Sequence, residues 1–195
     1  MFQKYEEYLS FIGSYLKKYF DEQAPYIHCK QGCSFCCKKG QYPISSLEFN
    51  YMMFGFTFLK QPLKDKISSN IQILKQDIKD INAFYSCPFL IEDECSIYNY
   101  RPMICRSHGL LSFRYDDEDK RHFNIPGCVD IGLNYSNVYD NETKQISSEK
   151  FKKLNISVEP CSYNVGLKYL LKNEYTEKMG LEFGKTKLLI EWLNR

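Results

Sequence analysis

The side chains best suited to chemistry are the nine cysteines among 195 residues. Cys29, Cys33, Cys36 and Cys37 share one short loop, spaced C-x3-C-x2-C with a fourth thiol adjacent to the last. That spacing lets three thiolates turn inward on one metal from a single loop. Gly32 lies inside it, where a tight fold around an ion calls for positive φ. Cys87, Cys95 and Cys105 form a second group about fifty residues later, with Cys128 further on. Packing gives no reason for four buried thiols at such spacing, so the loop reads as a metal ligand set. Disulfides are the weakest reading: the count is odd, and adjacent Cys36 and Cys37 are poor mutual partners on geometric grounds. The N-terminus also lacks the charged-then-apolar layout of a secretory signal, so the expected compartment is a reducing cytoplasm. For Cys161, with no cysteine near it in sequence, a buried inert thiol is as good a reading as any.

Two metal chemistries suit such a set. Zinc takes four nitrogen or sulfur ligands in a closed tetrahedron, and eight thiolates could hold two such ions. An iron–sulfur cluster is also held by thiolates alone, commonly several from a compact loop and one from afar. Adjacent Cys36 and Cys37 cannot easily serve one small ion; they serve different metals, or one stands in reserve. His28 and His108 sit beside cysteines and could complete a mixed site. Thiolates gathered together are anionic and need positive charge nearby. Lys30, Lys38, Lys39, Arg101 and Arg106 flank the cysteines in sequence, with Arg106 favoured for that role and Arg101 beside it. Pro102 suits the first turn of a short helix with Gly109 past its end, which sets Cys105 among unpaired backbone N–H groups that favour a thiolate.

The elements that must position these residues are mostly helical. Phe2, Tyr5, Tyr8, Leu9, Ile12, Tyr15, Leu16, Tyr19 and Phe20 recur at three and four residues, an amphipathic first helix that Pro25 closes. Ser45 and Glu48 have capping-box spacing, opening a second helix that ends near Lys60. Leu63, Ile67, Ile71, Leu74, Ile78, Ile81 and Tyr85 predict a third, delivering Cys87 beside the first cysteine group. Leu110 to Tyr115 and Arg121 to Ile125 flank an Asp-Asp-Glu-Asp-Lys turn and read as a β-hairpin. Residues from about 130 to 160 are polar and aperiodic, read as a loop or peripheral insertion. Their matches to the glycosylation pattern, at Asn134, Asn141 and Asn155, carry little weight without a secretory signal. A helix with Tyr163, Leu167, Leu170 and Leu171 on one face follows, and another with Leu188, Leu189 and Trp192 ends the chain. The expected fold is α+β, mainly α: one domain over 1–195, with a cysteine-cluster metal-binding core over 29–128 and a small hairpin.

Composition narrows the partners. Net charge is +2 with no basic stripe, which argues against nucleic acid. No apolar run approaches the roughly 20 residues of a membrane span.

The compound pattern Cys-x3-Cys-x2-Cys-Cys, then Cys-Pro-Phe-Leu, then Cys-x-Ile-Tyr-x2-Arg-Pro-x2-Cys-Arg resembles the YkgJ-type cysteine-cluster proteins, described as zinc- or iron-chelating domains. The resemblance covers roughly residues 29 to 128. It implies metal binding through Cys29, Cys33, Cys36, Cys37, Cys87, Cys95, Cys105 and Cys128, often as an iron–sulfur cluster, with Arg101, Pro102 and Arg106 in its signature. A flagellin lysine-N-methylase is similar over the same motif, which makes methyl transfer conceivable. Cys29, Cys33, Phe35 and Cys36 also spell the loop of radical SAM enzymes, but the chain lacks the strand–helix alternation of their barrel.

Three functions follow as expectations. The first is an iron–sulfur protein acting in electron transfer, with an unidentified protein or redox partner, or bearing the cofactor of a modifying enzyme. Cys29, Cys33, Cys36 and Cys105 lead its ligand set. The second is a structural Zn2+ module presenting an interaction surface. A thiol enzyme built on Cys105 and His108 is the third.

Overall fold

The computed structural model describes residues 2–30, 32–115, 118 and 120–194. The chain divides into two compact units, Gln3–Lys30 with Ser107–Met179 and Gln31–Arg106 with Gly180–Arg195, Phe2 joining the second. Its elements are helices of very different length and small two-stranded antiparallel sheets, an α+β fold that is mainly α. No described helix is long and apolar enough to cross a membrane.

In the first unit the helix Gln3–Glu22 buries Tyr5, Tyr8, Leu9, Ile12 and Leu16, the stripe its periodicity predicts. Tyr8 Oη donates to Leu170 O at 2.5 Å and accepts from Asn173 Nδ2 at 2.9 Å. The predicted hairpin forms from Ser112–Tyr115 and Arg121–Asn124; Asp116, Asp117 and Asp119 of its turn lie outside the described residues. The stretch from 130 to 160 is no peripheral insertion. Tyr135 and Val138 are fully buried with Tyr26 and Leu111, and Ile146, Phe151, Leu154, Ile156 and Val158 pack against them. A hairpin of Tyr139–Asp140 and Gln145–Ile146 and a helix Ser148–Lys153 organise the stretch, so its apolar residues converge without any helical or strand period. Tyr163 stands outside the helix Leu167–Leu171, its N–H donating to Leu111 O at 3.0 Å.

In the second unit the helix Ser46–Thr57 begins on the predicted capping box, with Ser45 accepting from Glu48 N and Glu48 from Ser45 N. The next helix, Gln61–Asp77, stops well before Tyr85 although the apolar spacing continues. Asp80 takes the chain out of the helix: its carboxylate accepts from Asn82 N at 2.8 Å and its carbonyl from Ala83 N at 2.9 Å, a local turn competing with helical bonds. Tyr85 then pairs with Gly40 in a sheet-like bridge. The strand Pro43–Ser45 pairs with Thr186–Leu188, and the final helix Leu189–Leu193 begins just after Leu188. Ile44, Met52, Ile67, Phe89, Ile97, Leu189, Trp192 and Leu193 form this unit's core, with Cys87 and Cys95 packed against it. Trp192 Nε1 donates to Ile44 O at 2.9 Å, so the buried indole keeps a partner.

Candidate metal centre

Cys33, Cys36, Cys37, Cys87, Cys95 and Cys105 all belong to the second unit. The loop turns at Gly32, whose φ is +81° as its place predicts. Cys36 and Cys37 ride on the one-turn helix Phe35–Lys38. Buried Ser34 opens that turn: its carbonyl accepts from Lys38 N at 2.9 Å and its hydroxyl donates to Asp93 Oδ1 at 2.8 Å. Cys87 is brought alongside, donating its N–H to Cys37 O at 2.8 Å. Leu90 N then donates to Cys87 O at 3.0 Å, opening a hairpin of Leu90–Ile91 and Glu94–Cys95 in which Cys95 pairs with Leu90. Glu92 and Asp93 turn that hairpin with φ of +53° and +62°, both left-handed as a tight hairpin turn demands.

Cys105 stands on the helix Met103–Ser107, where Pro102 O accepts from Cys105 N at 3.0 Å and Arg106 N at 3.2 Å. The start of this helix is fixed from the helix Ser46–Thr57. Glu48, fully buried, accepts from Met103 N through Oε1 at 2.8 Å while Oε2 accepts from Ser45 N and Oγ at 2.8 and 2.7 Å. Its capping-box role is legible in the sequence; the tie to Met103 is not.

Electrostatics show which thiols sit near one another. The Cys36 thiol is lowered, chiefly because Cys37 S–H donates to it, with Arg101 helping; Cys37 is raised for the reciprocal reason and by burial. Burial pushes Cys87 up to about 12, and neighbouring Cys95 and Cys36 add to it. Burial likewise raises Cys95, with Ile97 N–H and Arg101 opposing, and Cys105, with the charges of Cys87, Cys95 and Cys36 adding. Five thiols thus lie within electrostatic reach of one another, although no three His, Cys, Asp or Glu side chains among the described residues close to the spacing of a metal ligand set.

The positive charge they feel is that of Arg101, which stacks on Tyr98 with 3.7 Å from guanidinium carbon to ring centroid. Its Nε is buried and has no hydrogen-bond acceptor among the described residues. Arg106, favoured from sequence, holds backbone through two donors, Nε to Arg101 O at 2.9 Å and Nη2 to Asn99 O at 2.5 Å, and its charge reaches Glu48. Lys38 pairs with Asp93 at 2.5 Å, and Lys39 lies over Phe35. Tyr42 was not singled out by any motif, yet its hydroxyl donates to Cys36 O at 3.0 Å. Burial and the charges of Cys36, Cys105, Cys37 and Cys87 raise its pKa.

Cys29 and Cys128 belong to the first unit. Cys29 is exposed and accepts from Asn134 Nδ2 at 3.1 Å. Cys128 is buried on the turn Gly127–Ile131. His28 is exposed, and burial lowers the His108 pKa. Cys161 is exposed rather than buried, and none of the nine cysteines is in a disulfide among the described residues.

Cysteines outside any disulfide suit a soft, thiolate-bound metal group, and the Arg101 N–H, without an acceptor among the described residues, suits an anionic one. These features suit a metal-chelating cysteine domain. A family model described as CxxCxxCC, putative zinc- or iron-chelating domain, matches residues 28–128, and the chain belongs to that family. Neither a curated protein nor a solved structure matches the chain.

Proposed function

We propose that the chain carries an iron–sulfur cluster on the thiols gathered in the second unit, and uses it in electron transfer or as the cofactor of a modifying enzyme. Cys36, Cys37, Cys87, Cys95 and Cys105 are the candidate ligands within electrostatic reach of one another. Cys29, Cys33 and Cys128 are the remaining candidate ligands. The observation that carries this reading is the buried Arg101 Nε, without an acceptor among the described residues, beside more thiols than one closed zinc site needs. Inorganic sulfide is an acceptor that such an N–H can reach for, and hydrogen bonds to cluster sulfurs set reduction potentials. When bound, the cluster supplies one-electron transfer. Arg101 offsets its negative charge, and Tyr42 braces Cys36 through the backbone.

The test is metal and acid-labile sulfide analysis with a visible spectrum on chain purified without oxygen. Iron with sulfide and a broad band near roughly 400 nm is the expected result. Colourless protein with stoichiometric zinc would overturn the reading and make the cysteines a structural staple.

A further inference from the structure

We infer that Asn134 is the positioning residue for Cys29, holding its sulfur as a preoriented ligand for a zinc or iron centre and donating an N–H to it. The inference rests on reading Cys29 as a metal ligand.

Asn134 is fully buried, and its side chain is fully engaged. Oδ1 accepts from His28 N at 2.7 Å, and Nδ2 donates to Cys29 Sγ at 3.1 Å and to Gly109 O at 2.8 Å. One amide thus grips the backbone entering the cysteine loop and the first thiol of that loop together. Burial and engagement also close Asn134 to glycosylation in the folded chain, although it opens an Asn-Tyr-Ser match.

The surroundings are shaped around this contact. Gly109 adopts φ of +104°, and a Cβ there would lie 2.9 Å from Asn134 Nδ2 and 3.0 Å from Cys29 Sγ. Only glycine leaves room for the amide and the sulfur at that point. Asn134 itself is placed by the turn Gly127–Ile131, where Cys128 O accepts from Leu133 N at 3.1 Å, and by Tyr135 N donating to Tyr26 O at 2.9 Å. An N–H to a ligating sulfur fixes its direction and disperses its charge, the way outer partners tune metal sites.

The test has two arms on the full chain. With asparagine side chains labelled by nitrogen-15, the Asn134 amide protons should exchange slowly, and one of them should shift on Cys29→Ala while the proton on Gly109 stays. After loading with iron and sulfide, or with zinc, Asn134→Asp keeps the acceptor for His28 N but turns an oxygen toward the sulfur. It should hold metal on the order of tenfold more weakly, and, if the metal is iron, at a lower reduction potential. Gly109→Ala, which removes neither group but displaces both, should weaken binding in the same direction. An Asn134 amide that exchanges as fast as a free one, or ignores Cys29→Ala, overturns the inference. So do folded Asn134→Asp and Gly109→Ala chains that bind metal with wild-type affinity and potential. A wild-type chain that takes up no metal sinks the proposed function, and the amide signals alone then decide whether Asn134 holds Cys29.

Discussion

At the scale of single residues, Glu48 carries an unusual share of the second unit. Three donors converge on its carboxylate, from Ser45 N, Ser45 Oγ and Met103 N, and it thereby ties two helix starts together. Glu48→Ala strands those donors in a buried place. At about 1–3 kcal/mol for each buried group left unpaired, the loss should be on the order of 3 kcal/mol or more by urea unfolding. A loss below about 1 kcal/mol would show that water replaces the carboxylate. Burial is also the main influence on its pKa, raising it against the opposing donors and Arg106. With the folded pKa above the unfolded one, the stability Glu48 contributes is complete below the ordinary glutamate range. It is lost as pH rises through the folded value. Glu48→Gln cannot ionise, so its unfolding free energy should decline less than the wild type's from about pH 4 upward. Parallel pH profiles would place the Glu48 pKa at its ordinary value.

At the scale of elements, what the sequence discloses depends on whether the signal is local. The capping box at Ser45, the left-handed glycines at Gly32 and Gly109, and the first helix each depend on neighbours a few residues away, and each is legible. The pairing of Pro43–Ser45 with Thr186–Leu188 joins three-residue strands across most of the chain and leaves no alternation to read. The same holds for the site. Cysteine spacing points to a metal, but the Asn134 amide reaches Cys29 from 105 positions away, and Tyr42 reaches Cys36 through its tip. Gly55 shows how such a contact reverses a local rule. In the helix Ser46–Thr57, alanine would ordinarily add about 0.5–1 kcal/mol over glycine. Here a Cβ would fall 2.3 Å from Tyr100 Cγ and 2.6 Å from Tyr100 Cβ, too near the backbone for the ring to swing clear. Gly55→Ala should therefore destabilise by about 1–3 kcal/mol and displace the segment bearing Arg101. A stabilised variant in a thermal melt would mean that the 98–101 segment yields freely.

At the scale of the whole molecule, the question is what orders the cysteine-bearing pieces of the second unit. The helix Phe35–Lys38 is a single turn, the hairpin that carries Cys95 has two-residue strands, and the helix Met103–Ser107 is barely longer. None is stable alone, since helices this short do not offset their nucleation cost and a lone hairpin is marginal in water. The unit's core helps, because Cys87, Cys95 and, on the helix that carries Cys105, Ile104 pack against it; the turn carrying Cys36 and Cys37 is tied in by the bond from Cys87 N to Cys37 O, and the start of the Cys105 helix by Glu48. A metal bound by thiols from three such pieces would cross-link them, and its binding free energy would become folding free energy for those pieces. Stripping the loaded chain with a chelator should accordingly speed hydrogen exchange at Cys87 N, Leu90 N and Cys105 N by about tenfold or more. These donate to Cys37 O, Cys87 O and Pro102 O. Amides inside the helix Ser46–Thr57, which rests on the apolar core, should change far less. Uniform rates before and after chelation would mean that the cysteine pieces are ordered by packing alone, and that any metal they take is cargo carried on a site already built.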